Sequence, residues 1–174
     1  MNPLDTPLGY STNFLFVPGT RPERFAKALD SGASGVVLDL EDAVAEEDKV
    51  SARDAIRAAW PSFSAEQKKR LVIRTNSPGS KFYAADLILA QELQVACLLI
   101  PKSESLDQIN GAALILPNTA IIPMIETAIG LDQLKEIANS NQVIRLALGN
   151  LDLQADLGMV CDRQETELQT ARYQ

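Results

Sequence analysis

The sequence predicts an α/β fold, a TIM (β/α)8 barrel of which about six β/α units are present. Three observations predict it. Short apolar runs alternate with helical patterns from Phe14 to Gln174, as parallel strands joined by outer helices do. Several runs are apolar throughout rather than alternating, which suits strands covered on both faces. Each run also ends near a polar group. Arg21 and Arg24 follow the first, Asp39, Glu41 and Asp42 the second, and then come Arg74, Lys102, Glu126 and Asp152. Polar groups gathered at the carboxyl ends of successive strands are what a barrel with its site on that face presents. A closed barrel needs eight units and typically ~250 residues. The 174 residues here are therefore expected to be a single barrel domain over 1–174 with its C-terminal strands missing.

Residues 1–12 are polar with two prolines and read as an arm or loop. Phe14 to Val17 is the first strand. Thr20-Arg-Pro-Glu23 reads as a capping box opening a helix to Asp30 that buries Phe25, Ala28 and Leu29. Gly35 to Leu40 is the second strand, and Glu46 to Trp60 an alanine-rich helix stopped by Pro61. Arg70 to Arg74 is the third strand. The helix from Ser80 to Gln94 places Phe82, Ala85, Leu89 and Leu93 at spacings of three and four. Cys97 to Ile100, Ala120 to Pro123 and Val143 to Leu148 are the remaining strands, with helices at Glu104 to Ala113, Leu131 to Ala138 and Thr166 to Gln174.

Composition narrows the function. With 23 acidic against 16 basic residues the formal charge is −7, which argues against a nucleic-acid surface. No apolar run is long enough for a membrane span and no signal peptide is present, so a cytoplasmic protein is expected. Cys97 and Cys161 make neither a disulfide framework nor a zinc spacing. There is no histidine, which removes the commonest general base and transition-metal ligand. Chemistry must rest on carboxylates, Arg, Lys, or a metal held by oxygen.

The stretch Ile121 to Asp156 carries that chemistry. Glu126 and Asp152 each close an apolar run and precede small residues and a helical pattern. Two carboxylates leaving two strand ends make a hard-oxygen site suited to Mg²⁺. Each assignment has a plainer rival. Glu126 could favour a helix dipole, Asp152 could be an N-cap, and Asp156 competes with it. Arg74 either binds substrate or is a rim partner of Asp39, Glu41 or Asp42. Arg21, Arg24, Lys27, Lys49 and Arg53 could meet phosphates, but lysines and arginines on helices are more often solvated.

Seven collinear blocks resemble a known family. They are Phe14-Leu-Phe-Val-Pro-Gly-Thr-Arg-Pro-Glu-Arg-Phe25, Val37-Leu-Asp-Leu-Glu-Asp-Ala-Val44, Lys49-x-x-x-Arg53, Val72-Ile-Arg-Thr-Asn76, Pro101-Lys102, Ile122-Pro-Met-Ile-Glu-Thr-Ala128 and Gly149-x-x-Asp152-Leu. Together they are similar to the citrate lyase beta subunit (citryl-CoA lyase) branch of the HpcH/HpaI aldolase/citrate lyase superfamily. The resemblance implies a lyase that splits a 3-hydroxyacyl-CoA, such as citryl-CoA or malyl-CoA, into acetyl-CoA and a 2-oxoacid. It implies Mg²⁺ on Glu126 and Asp152, substrate on Arg74 and Glu126, and a homo-oligomer (trimer or hexamer) or a place in a citrate lyase complex. It leaves the catalytic acid or base unassigned. The alternative is a non-catalytic or partner-dependent binding subunit that keeps a Mg²⁺ and 2-oxoacid site.

Overall fold

The computed structural model describes residues 6–174, so the start of the expected N-terminal arm, 1–5, lies outside the described residues. Six strands form one sheet in the order β1-β2-β3-β4-β5-β6, every neighbouring pair parallel, curled into a half-barrel with helices on its convex side. The strands are β1 Phe14–Pro18, β2 Gly35–Asp39, β3 Leu71–Arg74, β4 Cys97–Ile100, β5 Ala120–Ile125 and β6 Ala147–Leu148. The helices are α1 Phe25–Leu29, α2 Lys49–Ala59, α3 Ala65–Lys68, α4 Tyr83–Leu93, α5 Leu106–Ile115, α6 Ala128–Asp132, α7 Leu134–Ala138, α8 Asn150–Asp156 and α9 Gln169–Tyr173. Among the described residues no helix is long and apolar enough to cross a membrane.

Strand periodicity divides the core in two. Val36, Leu38, Leu71, Ile73, Leu98, Ile100, Ile121 and Ile125 face the helices. Val37, Val72, Cys97, Leu99, Ala120 and Ile122 form the inner face, with Phe14 and Met124 packed against them. Side chains two apart on a strand share a face. Asp39 therefore continues the inner row of Val37, Arg74 that of Val72, and Glu126 that of Met124, which sets all three at the carboxyl rim of the inner face. Burial raises the Cys97 thiol far above its usual value, in keeping with an inert core residue.

Three local expectations are corrected and one element is added. The Thr20 to Glu23 capping box does not form, because Glu23 Oε1 accepts from Arg21 Nε at 2.6 Å and a 3-10 turn, Pro22–Arg24, opens the helix. The N-terminal segment is more than an arm. Pro7–Tyr10 is a 3-10 turn whose Leu8 is fully buried against the inner face, and Arg145 ties it down by donating to the Ser11 carbonyl at 2.5 Å. A short helix, α3, occupies the region after Pro61, opened by a capping box of Ser64 and Gln67. Finally, β6 is two residues long, not six. Ile121 bridges Val143, but the next ladder bond would run from the residue-123 N–H to the Ile144 carbonyl, and Pro123 has none. Pairing resumes at Met124 with Ala147, one residue out of step, as a bulge requires.

Beneath the rim lies a buried ion pair. Asp86 on α4 is fully buried, accepts from Arg53 Nη1 at 2.9 Å, and takes both the backbone N–H and the side-chain amide of Asn76 at 2.7 Å. Burial pushes the Asp86 carboxyl up, and these donors oppose it. Asp86→Ala would strand Arg53 and release the β3 loop. It is expected to cost roughly 3–5 kcal/mol, read as a lower urea midpoint. Arg57→Ala, which breaks only exposed pairs to Asp54 and Glu92, should cost under about 1 kcal/mol.

Candidate active site

The carboxyl ends of β2 and β3 are tied by Arg74. Its Nε and Nη2 donate to the two oxygens of Asp39 at 2.7 and 2.6 Å, a bidentate pair. Its Nη1 lies 2.9 Å from Glu41 Oε2 and 3.4 Å from Asp42 Oδ2. The guanidinium stacks over Phe16 at 5.3 Å. Desolvation opposes its charge, but the bond to Asp39 and the charges of Asp39 and Glu41 outweigh that and hold its pKa raised. The rim-partner role expected as the rival reading is thus realised in full.

Asp39 also shapes the loop after β2, accepting from the Glu41 N–H at 2.8 Å and the Ala43 N–H at 3.3 Å. Lys49 reaches up from α2 to donate to the Leu40 and Glu41 carbonyls, each at 2.7 Å. Lys49 and Arg53 are therefore neither solvated nor directed at a phosphate. They occupy the buried stripe of α2 with Ala52 and Ile56. That stripe was readable in the sequence, since Lys49, Ala52, Arg53 and Ile56 recur at helical spacing.

Glu126 directly follows β5. It is 4% exposed, and its Oε1 accepts from the Lys102 N–H at 2.8 Å. The helix-start role falls to Thr127, whose hydroxyl accepts from the Gly130 N–H at 3.0 Å. Asp152 lies within the first turn of α8, whose N-cap is Gly149, so the N-cap reading of Asp152 does not hold. The Asp152 carboxylate faces Lys102 Nζ at 3.4 Å. Asp156 is turned elsewhere, accepting from the Ala128 N–H at 2.7 Å.

These groups sense one another. Desolvation, aided by Asp152, pushes the Glu126 carboxyl up to about 7. Desolvation, aided by Asp42 and Glu126, pushes Glu41 to about 7 as well, against the pull of Arg74. Glu41 Oε2 is buried and, despite its closeness to Arg74, receives no hydrogen bond; the buried Thr75 hydroxyl is also without a partner. The rim thus holds more carboxylate than its cations neutralise. Among the described residues no three His, Cys, Asp or Glu side chains form a metal cage. One or two carboxylates with open positions is nevertheless how proteins commonly hold Mg²⁺, the rest of its shell being water and substrate oxygen. An under-neutralised acidic rim with an unpartnered buried oxygen fits a divalent cation.

Gly149 makes room for this arrangement. A Cβ there would lie 2.7 Å from Glu126 Cβ and closer still to its carboxylate. The Gly149 φ of −91° suits alanine, so the cost is steric and falls on Glu126. Gly149→Ala should leave the secondary structure intact by circular dichroism but weaken divalent-cation binding at least tenfold, read by calorimetry.

The family model described as HpcH/HpaI aldolase/citrate lyase matches residues 13–174. The chain belongs to that family. Among curated HpcH/HpaI relatives, it is 37% identical over 145 residues to a citrate lyase subunit beta-like protein of Mycobacterium tuberculosis, covering 83% of this chain and 50% of the relative. It is 30% identical over 144 residues to a (3S)-malyl-CoA thioesterase of Cereibacter sphaeroides, with 83% and 50% coverage. The chain spans about half the length of the curated relatives it matches. Among solved HpcH/HpaI structures, it is similar to the citrate lyase beta subunit of M. tuberculosis complexed with oxaloacetate and magnesium. That match has a TM-score of 0.81 and 33% identity, and covers 99% of this chain and 72% of the other.

Proposed function

We propose that this chain belongs to a Mg²⁺-dependent carbon–carbon lyase that cleaves a 3-hydroxyacyl-CoA, such as citryl-CoA or malyl-CoA, into acetyl-CoA and a 2-oxoacid. The observation that carries the reading is that Glu126, directly after β5, and Asp152, in the first turn of α8 after β6, converge on Lys102, which contacts both. It is supported by the oxaloacetate and magnesium named for the M. tuberculosis structure. Residues 1–174 are read as a single catalytic domain, in a cytoplasmic homo-oligomer (trimer or hexamer) or a citrate lyase complex.

In this reading Glu126 and Asp152 hold the Mg²⁺ ion. When bound, the ion supplies Lewis-acid polarisation of the 2-oxoacid oxygens. Glu126 also fixes where those oxygens sit. Arg74, held by Asp39 through Nε and Nη2, offers Nη1 to the substrate carboxylate, which takes the place of Glu41 and Asp42 beside it. Glu41, with a pKa near neutrality beside that charge, can accept or return a proton. Cleavage moves the carbon–carbon electron pair toward the thioester-bearing fragment, which must gain a proton to leave as acetyl-CoA, while the hydroxyl carbon becomes the oxoacid carbonyl. A second reading, hydrolysis of the thioester, is favoured by the malyl-CoA thioesterase among the relatives.

Titration calorimetry with Mg²⁺ tests the metal part of this reading. A ligand carboxylate must be ionised, and Glu126 sits at about 7. Affinity should therefore weaken about tenfold per pH unit below 7 and level off above it, with proton release near neutrality. Absent or pH-independent binding between pH 6 and 8 would count against Glu126 as a ligand.

A further inference from the structure

The rim has three fixed or movable cations, and they are not equivalent. Arg74 is buried and contacts three carboxylates. Lys49 is buried and bonded to two carbonyls. Lys102 is different. Its side chain is 43% exposed, and that of its partner Asp152 is 40% exposed. Their separation of 3.4 Å exceeds the 2.7–2.9 Å of a tight charge-assisted bond. A half-exposed, loose pair of this kind is weak and readily exchanged.

The backbone of Lys102 is, in contrast, firmly set. Its φ is +47°, in the left-handed region that lysine seldom adopts. In that conformation its N–H reaches Glu126 Oε1 at 2.8 Å while its side chain extends to Asp152. One residue thus touches both proposed metal ligands, the first through a backbone donor and the second through a half-exposed ammonium.

We propose that Lys102 is a tethered counter-ion, occupying Asp152 until a divalent cation displaces it, while its backbone keeps Glu126 oriented throughout. This rests on the reading of Glu126 and Asp152 as the metal pair and adds the residue that guards it. Without the ammonium, Asp152 and Glu126 would face each other uncompensated at the metal-free rim. With it, the metal-free protein is stabilised and a divalent cation must compete for Asp152. The backbone bond to Glu126 does not depend on where the side chain lies, so the exchange leaves the other ligand in place.

The test compares wild type, Lys102→Met and Lys102→Arg, with Lys81→Met as a surface-charge control whose partner is Glu46. Mg²⁺ affinity is read by calorimetry and metal-free stability by thermal unfolding in EDTA. Lys102→Met should bind Mg²⁺ about two- to fivefold more tightly than wild type. It should unfold at a lower temperature in EDTA and gain more from Mg²⁺. Lys102→Arg, which keeps the cation, and Lys81→Met should both bind Mg²⁺ as wild type does. Acetylation of the Lys102 amine by acetic anhydride, mapped by peptide mass, should increase when Mg²⁺ is added to wild type. Unchanged or weaker Mg²⁺ affinity in a folded Lys102→Met, or acetylation unaffected by Mg²⁺, overturns the proposal while leaving the metal pair standing. No Mg²⁺ binding by wild type overturns both.

Discussion

Glu126→Gln is expected to abolish Mg²⁺ binding, weakening it more than about 100-fold, and to reduce turnover to a comparable degree, without unfolding the protein. The amide keeps the shape of the side chain and an oxygen to accept the Lys102 N–H, so the β4 and β5 ends stay joined. What it removes is the buried charge. The folded-state pKa of Glu126 is raised to about 7 from an ordinary 4.5. Such a group contributes stability that is fully present below about pH 4.5 and lost as pH rises through 7. Above pH 7 the ionised carboxylate costs on the order of 3 kcal/mol, chiefly through desolvation with Asp152 adding to it. The glutamine variant should therefore be more stable than the metal-free wild type at pH 8, with a shallower decline between pH 4.5 and 7. Differential scanning calorimetry in EDTA across that range reads this. A variant that loses stability and function together would mean that Glu126 is a structural group.

Arg74 should behave in the opposite way. Asp39 is 1% exposed and Glu41 7%, and both depend on the guanidinium. Arg74→Met leaves those carboxylates buried without a cation and is expected to cost roughly 3–5 kcal/mol, read by chemical unfolding. Arg74→Lys keeps the charge but replaces a planar fork with a point donor that cannot hold both Asp39 oxygens and still face Glu41. It should fold, and should lose about 10- to 100-fold in kcat/KM, mostly through KM for the acid substrate. The double change Arg74→Met with Asp39→Leu removes the buried Arg74–Asp39 pair, though it leaves Glu41 without its cation, and should recover part of the stability with none of the activity. Recovery of turnover in that double variant would assign Arg74 to the fold alone.

The strands were legible because apolar runs of four to six residues bounded by turns leave few alternatives, and the rim followed from what closes each run. The break in β6 was legible in principle, since Pro123 lies where a ladder donor is needed, but which neighbour that N–H would serve depends on the register with Val143. The loop after β2 was harder. Three acidic residues in four positions do not reveal that Asp39 pairs with Arg74 while Glu41 is left without a hydrogen bond, because that difference arises from burial by neighbouring strands. Lys49 and Arg53 depart from the expectation for a related reason. Their charge argued for solvent, whereas their spacing with Ala52 and Ile56 placed them on the core side of α2, and the spacing prevailed because each finds a buried acceptor. The left-handed backbone of Lys102 has no sequence signal at all, since lysine is not a residue that favours it.

The most direct measurement is a product analysis of (3S)-malyl-CoA incubated with the protein, with and without Mg²⁺. Carbon–carbon cleavage yields acetyl-CoA and glyoxylate, whereas thioester hydrolysis yields malate and free CoA. The account predicts acetyl-CoA and glyoxylate in equal amounts, formed only with Mg²⁺ and not by Glu126→Gln. Malate and CoA without glyoxylate, or cleavage that persists in EDTA, would contradict it.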